Sequence, residues 1–336
     1  MPDPNVGHET ATVWEALLTD SPTDNIWNSR AFFYSLAGGG QRGLKQGEGF
    51  AGRESSAGGR LFEFTVEYRK NTNFRAYGEL DQLDLALVPI FDAARYDIKT
   101  AAGTIDWTDL EMAKAQEPNA KVDIIGAKVD NGKNSHIDDM NRQLLGVATA
   151  STNNVLSIKD IIADNPATPI VGGIDPNLWP FWRNKQTSGA NGGGAAFSNL
   201  RPAMRSIYNQ CSRGGLLEHP TAALFRRTEF EGYESTLIPQ ERFTTADKNR
   251  DGQGAFDNDV LRFKGAECFY DEDLDVASCY MYNPKYLKIV YLRGYWMKMS
   301  DQLEPTDQLT FTQKCRTHWQ LCPDQRRRLG VITGIN

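Results

Sequence analysis

The stretch DKNRDGQGAFDND, residues 247–259, sets oxygen-bearing side chains at the spacing of a calcium-binding loop. Asp247, Asn249 and Asp251 fall at positions 1, 3 and 5 of an EF-hand loop, and Gly252 falls at position 6, where such a loop turns sharply. Asp257 stands near the end of the loop as a further carboxylate. The chemistry would be coordination of a hard cation, completed by a bidentate glutamate at position 12. Here that position holds Asn258, a neutral amide. The residues that follow, VLRFKGAECFY, read as a strand and not as an exiting helix. Aspartate, asparagine and glycine also dominate ordinary turns for backbone reasons. An acidic turn and a weak calcium site both fit the stretch, and the incomplete ligand set favours the turn.

Other patterns carry less. Gly38-Gly39-Gly40-Gln41-Arg42-Gly43 matches G-x-G-x-x-G, but LKQGEGFAGRESS follows it, and that is no helix to receive a pyrophosphate. Cys315, His318 and Cys322 could supply three zinc ligands, yet a fourth is not evident and Cys315 falls on an alternating strand pattern. The four histidines (His8, His136, His219, His318) have no nucleophile or acidic partner that the sequence identifies, and no G-x-S-x-G, Walker loop or H-E-x-x-H is present. No catalytic residue and no cofactor is expected, and the chain does not read as an enzyme. The segment Trp179-Pro180-Phe181-Trp182, behind Gly172-Gly173 and beside Arg183, is more distinctive. So many rings are costly to leave in water. They form either a ligand platform or subunit contact, or a loop that packs its own rings.

The elements that must position these groups show in the periodicity. Phe62, Phe64, Val66 and Tyr68 alternate with polar residues, the period of a strand with one buried face. Tyr96, Ile98 and Thr100 suggest the return strand, so 60–106 reads as a long two-stranded excursion with a loose tip. Ile137, Met140, Leu144 and Val147 make one apolar stripe, and Val122, Ile125 and Val129 extend it upstream. That predicts a long helix over 119–148, starting near Pro118 and weakened or kinked at Asn131-Gly132. Further helices are expected at 195–211, closed by Gly214-Gly215, and at 228–238. Strands are expected at 221–225, 261–269 and 286–292, with alternation again at Leu309, Phe311 and Gln313. Nine glycines lie among the 22 residues of 38–59, a segment expensive to order and read as a mobile arm or loop. The fold class is α+β.

Bulk properties agree with a globular protein. Hydrophobic residues make up 40% and charged residues 24% of the 336. A net charge of −6 argues against a protein whose main task is gripping nucleic-acid phosphates. No secretory signal and no membrane-spanning run is evident. The five scattered cysteines, none in C-x-x-C, suggest reduced thiols.

In order and spacing, several segments resemble the major capsid proteins of tailed bacteriophages, of the Hong Kong 97 type. These are VGGIDPNLWPFWRN at 171–184, ALFRRTEFEGYES at 223–235, LRFKGAECFYDEDL at 261–274, CYMYNPKYLKI at 279–289 and QLCPDQRRRLGVITGI at 320–335. The resemblance covers about 60–336 and implies a phage capsid fold with an N-terminal arm, an extended β-hairpin loop, a peripheral domain with a long spine helix, and an axial domain. On that pattern 1–59 is the N-terminal arm and Gly-rich segment, reaching to other subunits, and 60–106 is the extended loop lapping a neighbour. Residues 107–150 hold the spine helix of the peripheral domain, 151–275 the axial domain, and 276–336 the return to the peripheral domain.

What the resemblance implies is self-assembly into hexamers and pentamers of an icosahedral virion shell, built in the host cytoplasm around double-stranded DNA without sequence-specific binding. A separate scaffolding protein, a portal and a decoration protein are the implied partners, and no membrane is. The second reading is a calcium-stabilised binding module for a glycan or protein ligand, using Asp247, Asn249, Asp251 and Asp257 for the ion and the rings near Trp179 and Trp182 for the ligand.

Overall fold

The computed structural model describes residues 30–37, 53–115, 124–149, 151–188, 197–213, 218–237, 261–275, 277–305 and 308–335. Asp247, Asn249, Asp251 and Asp257, the G-x-G-x-x-G stretch at 38–43 and Gly214-Gly215 lie outside these residues.

Among the described residues two large sheets and one two-stranded sheet carry the fold. The first is built on β12 (Thr310–Pro323), the longest strand, which pairs antiparallel with β4 (Lys99–Thr108) from Trp319↔Lys99 to Thr310↔Thr108. On its other side β12 meets β10 (Leu287–Leu292) and the short β11 (Lys298–Met299). β1 (Arg53–Ser56) runs parallel to β10 at the edge, so the end of the glycine-rich segment is a strand and not a loop. The second sheet has the order β5-β13-β9-β6-β8-β7, with β5 at Lys185–Ser188, β6 at Ala222–Phe225, β7 at Leu261–Phe263, β8 at Ala266–Tyr270, β9 at Ser278–Tyr282 and β13 at Gly330–Thr333.

The second sheet separates two cores by simple alternation. Ala223, Phe225, Cys279, Met281 and Ile332 point to one side, against α5 (Leu200–Cys211) and α6 (Arg227–Leu237). Their neighbours Ala222, Leu224, Tyr280, Tyr282 and Val331 point to the other, into the main core. Both faces are covered, so these strands read as continuous apolar runs, AALF and SCYMY.

The long helix is α3 (Ile124–Leu145), with Met140 and Leu144 fully buried and Ile137 and Val147 packed beside them. It does not break at Asn131-Gly132. The glycine is there for space: a Cβ at 132 would lie 2.5 Å from the Ile105 side chain of β4. Further along, His136 Nε2 meets Thr317 Oγ1 at 2.9 Å and fixes the helix on β12. Ahead of it α2 (Asp109–Ala115) opens on a capping box, Thr108 N–H donating to Glu111 (3.0 Å) and Glu111 N–H to Thr108 Oγ1 (3.2 Å). Burial works against the Glu111 charge, but these bonds and Lys128 Nζ at 2.9 Å hold its carboxyl below the usual range.

The segment read as an outward-reaching arm differs at its end. Residues Ala31–Ala37 form α1, with Phe32 and Leu36 fully buried in the chain's own core. Phe32 N–H donates to Asp271 Oδ2 and Phe33 N–H to Asn141 Oδ1, each at 3.1 Å. A short apolar helix followed by glycines gives no sequence signal for this docking, because both acceptors lie more than a hundred positions away.

Burial raises the Asp271 carboxyl to about 6, against the opposing pull of the Phe32, Asp273 and Asn141 donors. A folded-state value above the unfolded one means stability that is present at low pH and lost as pH rises to about 6. His136, lowered by burial, works in the opposite direction below its ordinary value. The difference in unfolding free energy between the parent chain and Asp271→Asn isolates the carboxyl. It is expected to shrink from pH 4 to pH 6, and a pH-independent difference would refute the assignment. Urea denaturation at stepped pH measures it.

Candidate functional site

The most exposed apolar surface lies on the two-stranded excursion. Its strands are β2 (Leu61–Glu67) and β3 (Phe91–Asp97), paired from Leu61↔Asp97 to Glu67↔Phe91. The excursion closes at Asp97 and not at residue 106, because β4 leaves it to pair with β12. Phe62, Val66, Ala94 and Tyr96 are buried and root the hairpin in the main core.

The root sits on a platform made by the distinctive aromatic segment. Val171 and Ile174 bracket a tight turn in which Gly172 and Gly173 both have positive φ, +66° and +76°. That is the backbone of a type I′ turn, open to glycine at both central positions. Gly172 also admits no side chain, since a Cβ would lie 2.9 Å from Tyr96 Oη. Its carbonyl accepts the Arg95 N–H at 2.9 Å, so the turn grips β3 directly. Tyr96 in turn donates to the Pro323 carbonyl at 3.0 Å.

Beneath the platform lies Arg326, fully buried. Its guanidinium donates to Ile161 O (2.8 Å), Pro169 O (3.2 Å) and Asn184 Oδ1 (3.4 Å), with no carboxylate among these acceptors. Burial lowers its pKa to about 10, which leaves it charged at neutral pH. Arg326 thus holds the end of the short helix α4 (Ile158–Ile161), the Pro169 segment and Asn184 before β5 to one point. Nothing in the sequence sets Arg326 apart from its neighbours in Arg326-Arg327-Arg328, and a charge run ordinarily signals a solvated face.

The four-residue aromatic patch divides between the two readings. Trp182 is buried and donates Nε1–H to Val171 O at 2.9 Å, packing its own loop. Trp179 and Phe181 stay partly exposed and receive Tyr68 from the hairpin, at ring distances of 5.1 and 6.3 Å. They are the last contact before the tip. Beyond Tyr68, residues 69–89 have no ladder. Side chains staple them locally: Asn73 Nδ2 to Ala86 O (2.7 Å), Tyr77 Oη to Asn73 O (2.9 Å) and Gly78 N to Asp81 Oδ2 (2.8 Å). On this frame Phe74, Leu80, Leu83, Leu85 and Leu87 are between 68% and 99% exposed, with Phe91 at 62%.

The proposed zinc set does not assemble. Cys315 and Cys322 are buried with their thiols pushed up by burial, and His318 Nδ1 meets Thr100 Oγ1 at 2.8 Å. No cluster of three or more His, Cys, Asp or Glu exists among the described residues. No described helix is long and apolar enough to cross a membrane.

No family model and no curated protein matches the sequence. Solved structures do. The capsid asymmetric unit of cyanophage A-1(L) superposes with a TM-score of 0.63 at 16% identity, covering 95% of this chain and 98% of that one. The capsid of the empty GTA particle gives 0.63 at 8% identity, covering 95% and 94%. The SrpI encapsulin complex of Synechococcus elongatus gives 0.57 at 7%, covering 97% and 95%. The chain therefore has the α+β fold of the phage capsid proteins. It is the Hong Kong 97 type of that fold, and the likeness runs through nearly the whole chain.

Two substitutions separate platform from clamp. Arg326→Met is expected to leave buried carbonyls unpaired, at about 1–3 kcal/mol each, and to lower the melting temperature markedly. Tyr68→Ala is expected to cost only about 0.5–1.5 kcal/mol, yet to speed protease cleavage within 69–89. Equal melting temperatures for parent and Arg326→Met would refute the platform role. Unchanged cleavage in Tyr68→Ala would refute the clamp.

Proposed function

We propose that this protein is a major capsid protein, a non-enzymatic subunit that assembles into hexamers and pentamers of an icosahedral phage head. One observation carries the reading: a hairpin rooted in a capsid-type fold presents large apolar side chains that no other described residue of its own chain covers. Burying a leucine or phenylalanine side chain contributes about 1.5–3 kcal/mol. Six of them give on the order of 10 kcal/mol gross, comparable with the cost of association, about 4–15 kcal/mol. A single hairpin contact is then marginal, whereas a closed ring of copies satisfies every hairpin at once.

On this reading 61–97 carries the extended loop, 98–150 the peripheral domain with its spine helix, 151–275 together with β9 and β13 the axial domain, and the rest of 276–336 the peripheral return. Residues 1–59 are the arm, apart from the docked α1 and the strand β1. The head encloses double-stranded DNA, and the net charge of −6 suits a wall that does not hold the genome tightly. A separate scaffolding protein, a portal and a decoration protein complete the particle, which is built in the host cytoplasm. The whole-chain likeness to shell proteins favours this reading over a calcium-stabilised binding module.

Sedimentation of the expressed protein with negative-stain microscopy is expected to show rings or closed shells. Because one similar fold is an encapsulin, contents decide the biological class: particles from the natural source are expected to hold nuclease-protected double-stranded DNA. Replacing 70–89 by a short glycine linker is expected to abolish particles while melting cooperatively, since the buried root at Val66, Ala94 and Tyr96 is kept. Shells from that variant would refute the role given to the hairpin.

A further inference from the structure

The helical side of the second sheet carries a charged surface far from the hairpin. α5 crosses this side with Ala203, Met204, Ile207 and Cys211 buried beneath it. Its outward face presents Arg205, Asn209 and Gln210, all exposed, and exposed Arg213 follows just past its end. The helix contains no acidic residue.

Both flanks of α5 add cations. On one flank runs the edge strand β5, whose Lys185 and Thr187 pair with Gly330 and Ile332 and so share their side of the sheet. Gln210 Nε2 donates to Thr187 Oγ1 at 3.4 Å. On the other flank Lys264 lies over the Tyr208 ring at 5.2 Å and donates to Asn209 Oδ1 at 3.2 Å. Among the described residues, Glu218 is the one carboxylate within 4 Å of Lys185, Arg205, Arg213 or Lys264. It lies 3.8 Å from Arg213 and is held by Arg328 at 2.9 Å. The exposed Glu231 and Glu234 belong to α6, which meets the N-terminal end of α5 through Phe197–Asn199. Arg201 lies at that end, near Tyr233, and is not counted here.

Four cations therefore face one carboxylate and the negative end of the helix dipole, about half a charge, on a chain of net charge −6. Cations interleaved with amide and hydroxyl groups are the chemistry that holds phosphate oxygens without reading sequence. We infer that the surface around Arg205, Asn209, Arg213 and Lys264 meets the phosphate backbone of double-stranded DNA, so that the helical side of the second sheet faces the enclosed genome. This rests on the shell-subunit reading and adds to it which side of the chain lines the interior. So few cations release few counterions, and the contact is weak and governed by salt. That agrees with a wall that does not hold the genome tightly.

The rival basic group is Lys298, Lys314 and Arg316 on one face of β11 and β12. Asp106 shares that face, opposite Thr312, and exposed Asp301 follows Ser300, whose N–H donates to Lys314 O. Three cations against two carboxylates leave little net charge there, so α5 is the stronger site for a polyanion.

The test takes the full chain from its slow-sedimenting, unassembled fraction. A fluorescent duplex of about 20 base pairs of mixed sequence is titrated at stepped salt and followed by anisotropy. Parent binding is expected to weaken steeply as salt rises. Arg205→Gln/Lys264→Gln, at two exposed positions, is expected to melt like the parent. It is expected to bind at least about tenfold more weakly, and to flatten the slope of log affinity against log salt by about two. Arg205→Gln/Arg213→Gln is expected to do the same, and Lys298→Gln/Lys314→Gln to bind like the parent. A parent without salt-dependent binding, or a loss confined to Lys298→Gln/Lys314→Gln, overturns this surface and leaves the shell-subunit reading intact. The same holds if both Arg205 variants bind DNA as the parent does yet form no particles, because the surface is then a contact between copies. A parent chain that gives neither rings nor shells overturns the shell-subunit reading, whatever its affinity for DNA.

Discussion

A buried guanidinium is the constraint on which the working surface depends. Arg326 must satisfy its donors without solvent, and it does so on the carbonyls of Ile161 and Pro169 and the side-chain oxygen of Asn184. Those acceptors belong to the end of α4, the segment at Pro169 and Asn184 before β5, so the charge can be accommodated only when all three converge. Convergence places the Val171–Ile174 turn, the turn offers Gly172 O to Arg95, and β3 is thereby aimed. A charge held by neutral dipoles tolerates little displacement, because an unmet donor in a low-dielectric interior is costly. The direction of a projection that leaves the body of the protein is set by one side chain at its base.

The second sheet enforces a related economy. Its central strands are apolar on both faces, and alternation along β6, β9 and β13 feeds two cores at once. The helical side, with α5 and α6, and the side with α3 and α1 therefore share a wall. Asp271 and Asn141 close that wall at the end of α1, where they accept the N–H groups that a short helix leaves unpaired. The central strands thus join the core of α5 and α6 to the core of α3, and α1 is pinned against the same wall.

Much of this was legible in advance. Strict alternation gave β2, and a three-four spacing gave the long helix, because each records one buried face. Segments whose reason lies elsewhere were not. Gly132 looked like a weak point of the helix until Ile105 was seen to need its space. The return strand was drawn too far, to residue 106, because pairing with β12 two hundred positions later carries no local mark. Trp179 to Trp182 was ambiguous for a physical reason: one ring packs inward and others await Tyr68, and sequence spacing alone cannot divide them. Arg326 was invisible, since nothing local distinguishes a buried arginine from its exposed neighbour Arg327.

The same logic explains why the exposed leucines are not a defect. An isolated domain selected for solubility would place charge at Leu80, Leu83, Leu85 and Leu87, where the alternating frame already supplies Asp81 and Asp84. Instead the tip keeps its apolar side chains and gives up a ladder, relying on a few side-chain staples that cost little to rearrange. A preformed rigid strand would bind a neighbour in one geometry. A stapled, apolar tip on a firmly aimed root can meet more than one angle of approach, as the proposed rings of five and six copies would demand, while the root holds its direction. Rigidity is concentrated below Tyr68 and adaptability above it, which is the division that the proposed closing of a shell from one kind of subunit would require.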